Sequence, residues 1–401
     1  MIYTEDEIYS FVEQEDVKFI RLAFCDLKGH IKNVSIMPSE LRRAFEDGIS
    51  FDGSAIRGFA GEEKSDLLLF PIASTLNVLS WRPSHGKVVR MFCEIRRSDG
   101  SPFPYDSRAI LKNIVKETEK RGVHIFFGSE FEFYLFKTDE DGYPTMVPFD
   151  RGGYMDVAPE DKGENIRREI CLTLIDMGIR PESSHHEEGP GQNEIDFRYS
   201  DPITAADNSQ NFVTVVKAAA MHNGLFADFS PKPLPGEAGN GMHVNISVRC
   251  DDSTDRTPQF MAGVMAHIRE ITLFLNNTTG SYRRLGEMKA PKYVTWSAEN
   301  RSQLIRIPAA SGDFRRFELR SPDPLANPYL AFAMIIAAGM DGIDRDMKCP
   351  DPVDMNLFTA DESVTSGLAR LPETLEEAYE CAAESELVKR VLPGKLSKTL
   401  A

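Results

Sequence analysis

Two acidic residues stand two positions apart in a segment that reads as a strand. Residues 124–136 (HIFFGSEFEFYLF) alternate so that Ile125, Phe127 and three further apolar side chains share one face. Glu130 and Glu132 then share the opposite face, about 7 Å apart at a rise of ~3.3 Å per residue. Two neighbouring metal ions could each take one of these carboxylates. Taken alone, the pair could equally be the solvated edge of a sheet.

The same mixture of acids, arginine and histidine lies on the polar faces of three more predicted strands: residues 192–199, 241–248 and 315–321. Pooled, five acids and one imidazole form an oxygen-rich ligand set: Glu130, Glu132, Glu187, Glu194, Glu318 and His243. Hard oxygen ligands select Mg²⁺ or Mn²⁺ over zinc. A cross-strand charge ladder explains one such strand, but four faces of the same kind favour a metal site.

Several arginines accompany these acids: Arg284, Arg301, Arg306, Arg316 and Arg320. Guanidinium groups bind phosphates and carboxylates through paired contacts. Two divalent ions with arginine contacts are typical of phosphoryl transfer. The sequence has no GxxxxGK[ST] motif, so any nucleotide site is not of the P-loop type.

Two loop segments complete the candidate site. In residues 182–194 (ESSHHEEGPGQNE), a Gly-Pro-Gly turn should return the chain so that Glu187 and Glu194 converge. The His185-His186 pair could instead bind zinc, although no third histidine or cysteine is nearby. Residues 231–241 (PKPLPGEAGNG) are too rich in proline and glycine for regular structure, and form either a plain linker or a loop whose N–H groups meet an anion.

The elements that must position these residues indicate an α+β fold. Residues 1–95 predict a small mixed sheet with one or two helices, followed by a linker-like stretch at residues 96–108. The remainder alternates strands with predicted helices at residues 107–121, 164–177, 202–223 and 258–277, and the apolar run 325–340 predicts a buried helix too short to span a membrane. This order favours an antiparallel sheet backed by helices.

Composition excludes several classes of function. Among 401 residues, 46 Lys and Arg against 62 Asp and Glu leave a formal net charge of −16. We therefore expect no nucleic-acid partner and no membrane partner, since both need a cationic surface. The acidic N-terminus is unlike a signal peptide, and the six cysteines form no CxxC pair. Both features predict a cytoplasmic protein with reduced thiols.

Six ordered motifs spanning most of the chain resemble those of type I, bacterial-type glutamine synthetase: FDGSAIRGF (51–59), GSEFEFYLF (128–136), ESSHHEEGPGQNEIDF (182–197), SPKPLPGEAGNGMHVN (230–245), WSAENRSQLIRIP (296–308) and RFELRSPDPLANPYLAFA (316–333). The resemblance implies an N-terminal β-grasp-like domain at residues 1–100 and a catalytic domain with a curved antiparallel sheet at residues 101–401. It also implies ATP-dependent ligation of ammonia to the γ-carboxylate of glutamate, through γ-glutamyl phosphate. The resemblance further implies a dodecamer whose active sites lie between neighbouring subunits.

The resemblance assigns two or more Mg²⁺ or Mn²⁺ ions per subunit to two ligand sets. One consists of Glu132, Glu187 and Glu194, and the other of Glu130, His243 and Glu318. It gives Arg320, Arg284 and Gly239 to glutamate, and Arg301 and Arg316 to the transferred phosphate. It gives Glu182, Asn245, Ser247 and Arg306 to ATP, and Tyr154 with Asp52 of a neighbouring subunit to ammonium.

The chain departs from the family pattern mainly around the amine. Ala55 and Ala238 replace a serine and an asparagine, Lys289 stands where the family has its flap glutamate, and Phe358 replaces the tyrosine that some members adenylylate. The sequence also ends before the usual C-terminal helices, which leaves a hexamer or a dodecamer open. Two alternatives follow: a γ-glutamyl ligase for another amine (methylamine, ethanolamine or a polyamine), or a catalytically weak regulatory paralogue.

Overall fold

The computed structural model describes residues 3–82, 85–309 and 315–392. These divide into two compact units, one that extends to Ile110 and one that begins at Leu111. The predicted shortening of the C-terminal end concerns residues beyond 392 and lies outside the described part. In that described part, no helix is long and apolar enough to cross a membrane.

The first unit is a six-stranded mixed sheet with two α-helices, as its short alternating runs predict. Its elements are α1 (Glu5–Gln14), β1 (Val17–Cys25), β2 (Ile31–Ile36), α2 (Leu41–Glu46), β3 (Ile49–Asp52), β4 (Asp66–Pro71), β5 (Asn77–Val78) and β6 (Lys87–Arg97). The strand order is β2-β1-β6-β4-β3, with β5 also paired to β6. β1 and β6 are parallel, and the other pairs are antiparallel.

The stretch predicted as a linker, residues 96–108, packs on β6. Phe103 is buried, and its N–H donates to the carbonyl of Ile95 at 3.0 Å. The Asp106 carboxylate accepts from the N–H of Ile95 at 2.9 Å, just before helix α3 (Ser107–Glu119). The content of serine, proline and glycine predicts a loop here, and the structure has one. The buried ring of Phe103 and the buried carboxylate of Asp106 hold this loop against β6.

The second unit holds a nine-stranded sheet and most of the helices. Its strands are β7 (Val123–Thr138), β8 (Pro144–Pro148), β9 (Pro181–His186), β10 (Gln192–Phe197), β11 (Leu225–Asp228), β12 (Met242–Cys250), β13 (Trp296–Ala298), β14 (Ile305–Ile307) and β15 (Phe317–Leu319). After α3, the helices are α4 (Glu164–Asp176), α5 (Pro202–His222), α6 (Thr257–Leu275), α7 (Thr279–Arg284), α8 (Pro328–Asp344), α9 (Glu362–Thr365), α10 (Leu375–Glu384) and α11 (Glu386–Val391).

The long strand β7 is the centre of this sheet. The order is β13-β14-β15-β12-β7-β10-β9, and β8 and β11 also pair with β7. All pairs are antiparallel except β13 with β14. The α+β class with an antiparallel sheet and helices is therefore confirmed.

One face of β7 packs on the helices, and this leaves the other face for polar residues. The five apolar side chains predicted to face inward are all buried: Ile125, Phe127, Phe131, Phe133 and Leu135. Phe127 stacks on Phe332 of α8, with ring centroids 4.4 Å apart, and Phe131 lies against Phe212 of α5 at 5.0 Å. Because the side chains of a strand alternate, this packing directs Glu130 and Glu132 to the opposite face.

Candidate active site

A cavity of about 580 Å³ lies on the polar face of this sheet. Eleven of the residues predicted for the site line it: Glu130, Glu132, Tyr154, Glu187, Glu194, Gly239, His243, Arg284, Arg301, Arg306 and Arg320. Six predicted residues are not among its described lining: Asp52, Glu182, Asn245, Ser247, Arg316 and Glu318. The acids, the imidazole and the arginines pooled from distant strands therefore meet largely at one place.

His243 is the point where three of the predicted carboxylates converge. The register of β7 and β12 sets His243 directly opposite Glu130, and Nδ1 lies 3.4 Å from Glu130 Oε2. The same nitrogen lies 3.9 Å from Glu132 Oε1 and 3.8 Å from Glu318 Oε1. The structure thus brings together the predicted set of Glu130, His243 and Glu318, and adds Glu132 to it.

The Gly-Pro-Gly turn brings Glu187 and Glu194 together as predicted. His185 Nε2 lies 3.1 Å from Glu187 Oε1 and 3.7 Å from Glu194 Oε1. Among the described residues, two of the three acid and histidine groups whose ligand atoms lie within 4.8 Å of one another are at this cavity: His185 with Glu187 and Glu194, and Glu130 with Glu194 and His243. Glu194 lies between the two groups, and His185 stands where Glu132 was expected.

The two adjacent histidines point to opposite sides of β9, which argues against a zinc site made of both. His186 is fully buried; its Nε2 lies 2.8 Å from Asp150 Oδ1 and its Nδ1 lies 2.6 Å from the carbonyl of Glu187. Both partners are acceptors, so both ring nitrogens donate and the ring is cationic. Although burial lowers the pKa of His186, its hydrogen bonds to Asp150 and Glu187 raise it overall.

The cationic side chains near the cavity do not balance the negative charge of its buried carboxylates, and the pKa values of two of these acids are raised. Burial, and then the neighbouring Glu187, raise the pKa of Glu132 to about 8. Burial and the acids Asp196, Glu132 and Glu130 raise the pKa of Glu194 well above its usual value. Burial also keeps His243 neutral by lowering its pKa, and a neutral imidazole is the form that binds metal. Buried acids beside a neutral imidazole fit divalent cations.

Arginines surround Glu318 and leave one donor without a partner. Arg306 and Arg320 both form ion pairs with Glu318, the latter at 2.6 Å. Arg284 is buried and donates to the carbonyls of Ser321 and Arg320 at 2.8 and 3.2 Å. Within the described chain, Arg320 Nε is buried and donates to no partner atom. A donor of this kind fits an anionic ligand such as a carboxylate.

A chain of hydrogen bonds leads from the cavity along β12. Asn245 Nδ2 donates to Glu130 Oε1 at 2.8 Å, and Arg316 Nε donates to Asn245 Oδ1 at 2.8 Å. Ser247 Oγ donates to the carbonyl of Arg315 at 3.1 Å. Three residues predicted for phosphate and nucleotide therefore follow one another outward from Glu130. Glu182 lies at the start of β9 with an exposed side chain.

Residues 231–241 have no regular structure, and their backbone closes one side of the site. The N–H of Gly241 donates to Glu132 Oε2 at 2.7 Å, so a loop N–H does meet an anion. At Gly239, a Cβ atom would lie 2.4 Å from the carbonyl of Pro231 and 2.9 Å from Cγ of Arg284. Glycine fits there because a Cβ atom would clash first with the Pro231 backbone and then with the side chain of Arg284.

The residues predicted for the amine are less enclosed. Tyr154 lines the cavity and lies edge-on to His185, with ring centroids 5.4 Å apart. Asp52 is an exposed residue of the first unit. Its carboxylate accepts from the Ser54 hydroxyl at 2.6 Å and from the Ser54 N–H at 2.9 Å, and these bonds lower its pKa.

Three features of the cavity were not assigned from the sequence. His185 lies with Glu187 and Glu194 in one possible metal-binding group. Its position two residues before Glu187 on a strand could have predicted that both side chains share one face. Asp196 lines the cavity two residues after Glu194, and burial and Glu130 raise its pKa to about 7. Glu188 also lines the cavity and pairs with Lys289; no local pattern predicts a contact between residues so distant in sequence.

Comparisons with known proteins agree on one family. The catalytic domain of glutamine synthetase matches residues 104–399, and its β-grasp domain matches residues 16–98. Glutamine synthetase of Staphylococcus aureus (strain MW2) is 44% identical over 97% of this chain and 91% of its own length.

Solved structures resemble the chain as well. A complex of GmaS with ADP has a TM-score of 0.87 at 28% identity, covering 98% of this chain and 92% of that one. Glutamine synthetase of Plasmodium falciparum has a TM-score of 0.85 at 23% identity, covering 98% of this chain and 93% of its own, and supports the fold. The N-terminal β-grasp domain predicted from the resemblance is confirmed.

Proposed function

Since the chain belongs to the glutamine synthetase family, we propose that its cavity binds glutamate, the phosphates of ATP and two divalent ions. The reaction is the ATP-dependent formation of glutamine from glutamate and ammonia. The observation that supports the site is the convergence of Glu130, Glu132 and Glu318 on His243 beside buried arginines. The other amines that Lys289 suggested are not favoured, given the 44% identity to a glutamine synthetase.

The proposed metal ligands are the six residues predicted from the sequence, with His185 added. Glu130, His243 and Glu318 would hold one Mg²⁺ or Mn²⁺, and Glu132, Glu187 and Glu194 the other, with His185 beside it. When bound, such ions neutralise the negative charge that accumulates during phosphoryl transfer. Without them, burial and the repulsion of neighbouring acids raise the pKa values of Glu132 and Glu194.

We assign glutamate to the end of the cavity formed by Arg320, Arg284 and Gly239. The unpartnered Nε of Arg320 would bind a carboxylate, while the Gly239 backbone leaves room for the amino acid. Arg301 and Arg316 would bind the phosphate that passes from ATP to the γ-carboxylate. Glu182, Asn245, Ser247 and Arg306 would contact the nucleotide. Phosphorylation matters because a free carboxylate is a poor electrophile, whereas γ-glutamyl phosphate carries a leaving group.

The amine step requires a base and a neutral nucleophile. Asp52 of a neighbouring copy would take a proton from ammonium, and Tyr154 would line the ammonium pocket. The ammonia nitrogen then bonds to the γ-carbon, and the bond from that carbon to the phosphate oxygen breaks. Inorganic phosphate leaves with the further proton that the nitrogen loses as the amide forms. The hydrogen bonds from Ser54 lower the pKa of Asp52 and so keep its carboxylate ionised at neutral pH.

This scheme requires more than one subunit. We propose a homo-oligomer, a hexamer or a dodecamer, in which residues 1–100 of one copy complete the site formed by residues 101–401 of the next. We also propose a cytoplasmic protein, since all six cysteines are free thiols.

A product assay tests the proposal. With ATP, glutamate, Mg²⁺ and ammonium, the protein should form glutamine, ADP and phosphate in equal amounts. Methylamine, ethanolamine and a polyamine serve as competing nucleophiles in parallel reactions. A higher kcat/KM for one of these amines than for ammonium would contradict ammonia as the substrate, and the absence of any product would contradict the assigned site.

A further inference from the structure

A buried ion pair joins two of the segments that line the cavity. His186 Nε2 donates to Asp150 Oδ1 at 2.8 Å, and the two side chains are 0% and 1% exposed. Neither residue belongs to the described lining of the cavity, but each stands close in sequence to one that does. His186 immediately precedes Glu187 on the chain. Asp150 stands shortly before Tyr154.

This pair holds both ends of the turn that carries Glu187. At the start of the turn, His186 Nδ1 donates to the carbonyl of Glu187 at 2.6 Å. At its end, the N–H of Gly191 donates to Asp150 Oδ1 at 2.9 Å. The N–H of Glu187 is also fixed, since it donates to the carbonyl of Gln192 at 2.9 Å. The backbone of this proposed metal ligand is therefore bound on both sides.

The same pair fixes the loop that carries Tyr154. Directly after this tyrosine, the N–H of Met155 donates to the carbonyl of His186 at 2.9 Å. At the far end of the loop, the N–H of Lys162 donates to Asp150 Oδ2 at 2.9 Å. One histidine and one aspartate therefore connect the loop beside the proposed ammonium pocket to the turn beside the proposed ion.

Such a connection bears on the reaction because metal ligands tolerate little displacement. Mg²⁺ requires its oxygen ligands at about 2.0–2.1 Å in near-octahedral geometry. Replacing a group that orients such a ligand lowers metal affinity by about 10- to 100-fold, although the group does not touch the metal. Among the described residues, no hydrogen bond joins this pair to Arg284 or Arg320, the arginines proposed for glutamate.

We propose that the His186–Asp150 pair positions two subsites of the reaction at once. It holds the carboxylate of Glu187 for the ion and the ring of Tyr154 for ammonium in one fixed arrangement. This rests on the proposed function, which assigns the two subsites. Replacing either member of the pair should weaken the binding of the ion and of ammonium and should spare glutamate.

Two variants of His186 separate its two contacts, because the side-chain nitrogen of asparagine replaces Nδ1 and that of glutamine replaces Nε2. His186→Gln keeps the donor to Asp150 and loses the donor to Glu187, so the Kd of one of the two Mn²⁺ ions should rise about 10- to 100-fold. His186→Asn keeps the donor to Glu187 and loses the contact with Asp150. Its KM for ammonium should rise about fivefold or more, as for one lost hydrogen bond.

Calorimetric titration with Mn²⁺ and steady-state kinetics with each substrate varied measure these effects. The KM for glutamate should change by less than about twofold in both variants, since the pair does not touch the glutamate end of the cavity. Excess Mg²⁺ should restore the rate of His186→Gln but not that of His186→Asn, a difference that a shared loss of stability would not give.

His267 of α6 is the matched control. Its Nε2 lies 2.8 Å from Asp341 Oδ2 and its Nδ1 lies 3.0 Å from Glu270 Oε1, so both nitrogens again face acceptors. Its side chain is 14% exposed, and it is not among the described lining of the cavity. His267→Asn and His267→Gln should leave the Mn²⁺ titration and the KM for ammonium unchanged, even where they lower the Tm.

Gly152→Ala tests the arrangement without removing either member of the pair, and decides the question if the variants of His186 do not fold. A Cβ atom at Gly152 would lie 2.9 Å from His186 Nε2, so the methyl group presses on the imidazole. At Gly153 the nearest atom to a Cβ is Asp156 Oδ2 at 3.5 Å, which makes Gly153→Ala the control. Gly152→Ala should raise the KM for ammonium, and Gly153→Ala should not.

The outcomes separate the positioning role from the proposed function. Folded variants of His186 and Gly152 with unchanged Mn²⁺ binding and unchanged KM for ammonium would overturn the positioning role. Equal changes in the His186 and His267 variants would overturn it as well, since they would reflect stability alone. In both cases the wild type still forms glutamine, whereas a wild type that forms none would contradict the function itself.

Discussion

Glu130 and His243 face each other across the ladder between β7 and β12, with 3.4 Å between the carboxylate oxygen Oε2 and the imidazole Nδ1. This contact is not an ion pair, because burial lowers the pKa of His243 and keeps its imidazole neutral. The contact makes sense as a pair of ligands for one cation. Asn245, two residues along β12, fixes the other oxygen of Glu130 at 2.8 Å.

Replacing Glu130 should therefore remove one ion and spare the other. We expect wild-type protein to bind two Mn²⁺ ions per subunit in the presence of ATP, and Glu130→Ala to bind one tightly. Calorimetric titration with Mn²⁺ measures both numbers. Glu140→Ala, which removes an exposed acid from a turn, is the control and should still bind two. A wild type that binds no divalent ion would refute the metal site.

Replacing Arg316 and Arg320, which flank strand β15, should impair the reaction in different ways. Arg320→Lys keeps the charge beside Glu318 but loses the free Nε donor, so the KM for glutamate should rise about 10- to 100-fold, as expected for a lost charged hydrogen bond of ~1.5–3 kcal/mol. Arg316→Ala should mainly lower kcat, because it removes a contact with the transferred phosphate. Steady-state kinetics with glutamate varied separates the two effects. Equal changes of both parameters in both variants would contradict the assignment.

Much of this site is predictable from the sequence because strands alternate. The period of two in β7 is enough to place Glu130 and Glu132 on one face, and the buried rings of Phe127 and Phe131 explain why. The Gly-Pro-Gly turn likewise predicts that Glu187 and Glu194 converge, since a turn has few conformations. These predictions use only local geometry.

The rest depends on contacts between distant segments. Which residue of β12 faces Glu130 is set by strand register, and the register depends on how both strands pack on the helices. The same holds for Lys289 and Glu188, whose side chains meet only because two loops fold to one rim. Composition likewise predicts a connecting stretch at residues 96–108 but not its packing, because Phe103 and Asp106 find partners on β6 that composition alone does not reveal.

Metal should stabilise the protein more at high pH than at low pH. The pKa of Glu132 is about 8 in the fold, above its ordinary value of 4.5, so the folded state holds a proton that the unfolded state releases. The metal-free protein therefore loses stability as pH rises from about 4.5 to about 8, by up to ~1.4 kcal/mol per pH unit for one proton. A bound cation replaces that proton. The increase in Tm on adding Mg²⁺ should grow between pH 5.5 and pH 8.5.

Glu132→Gln tests the origin of this effect. The amide cannot ionise, so the Tm of the metal-free variant should change less with pH than that of the wild type over the same range. Thermal unfolding with EDTA at pH 5.5, 7 and 8.5 measures this. An equal Mg²⁺-induced shift in Tm at all three pH values would show that the buried carboxylate does not behave as described.

The buried pair of His186 and Asp150 should matter more for stability than an exposed pair of the same kind. His186→Ala leaves the Asp150 carboxylate buried without its cationic partner, which costs ~3–5 kcal/mol in comparable cases. His124→Ala breaks an exposed pair with Asp251 at 2.9 Å and should cost ~1 kcal/mol or less. Urea unfolding of both variants gives the comparison. Similar losses in the two would mean that burial does not decide the strength of this pair.

Gly239 offers the sharpest steric test of the glutamate site. A Cβ atom at this position would lie 2.4 Å from the carbonyl of Pro231, a backbone atom, and 2.9 Å from Cγ of Arg284. Gly239→Ala should therefore shift Arg284 and raise the KM for glutamate by about tenfold or more, which corresponds to ~1.4 kcal/mol.

The control is Gly280→Ala in α7, where a Cβ meets nothing closer than 3.5 Å and no such change is expected. Since Arg284 is the last residue of that same helix, the comparison separates a clash at the loop from a general disturbance of the helix. Unchanged glutamate kinetics in Gly239→Ala, with the fold intact by circular dichroism, would place the amino acid elsewhere in the cavity.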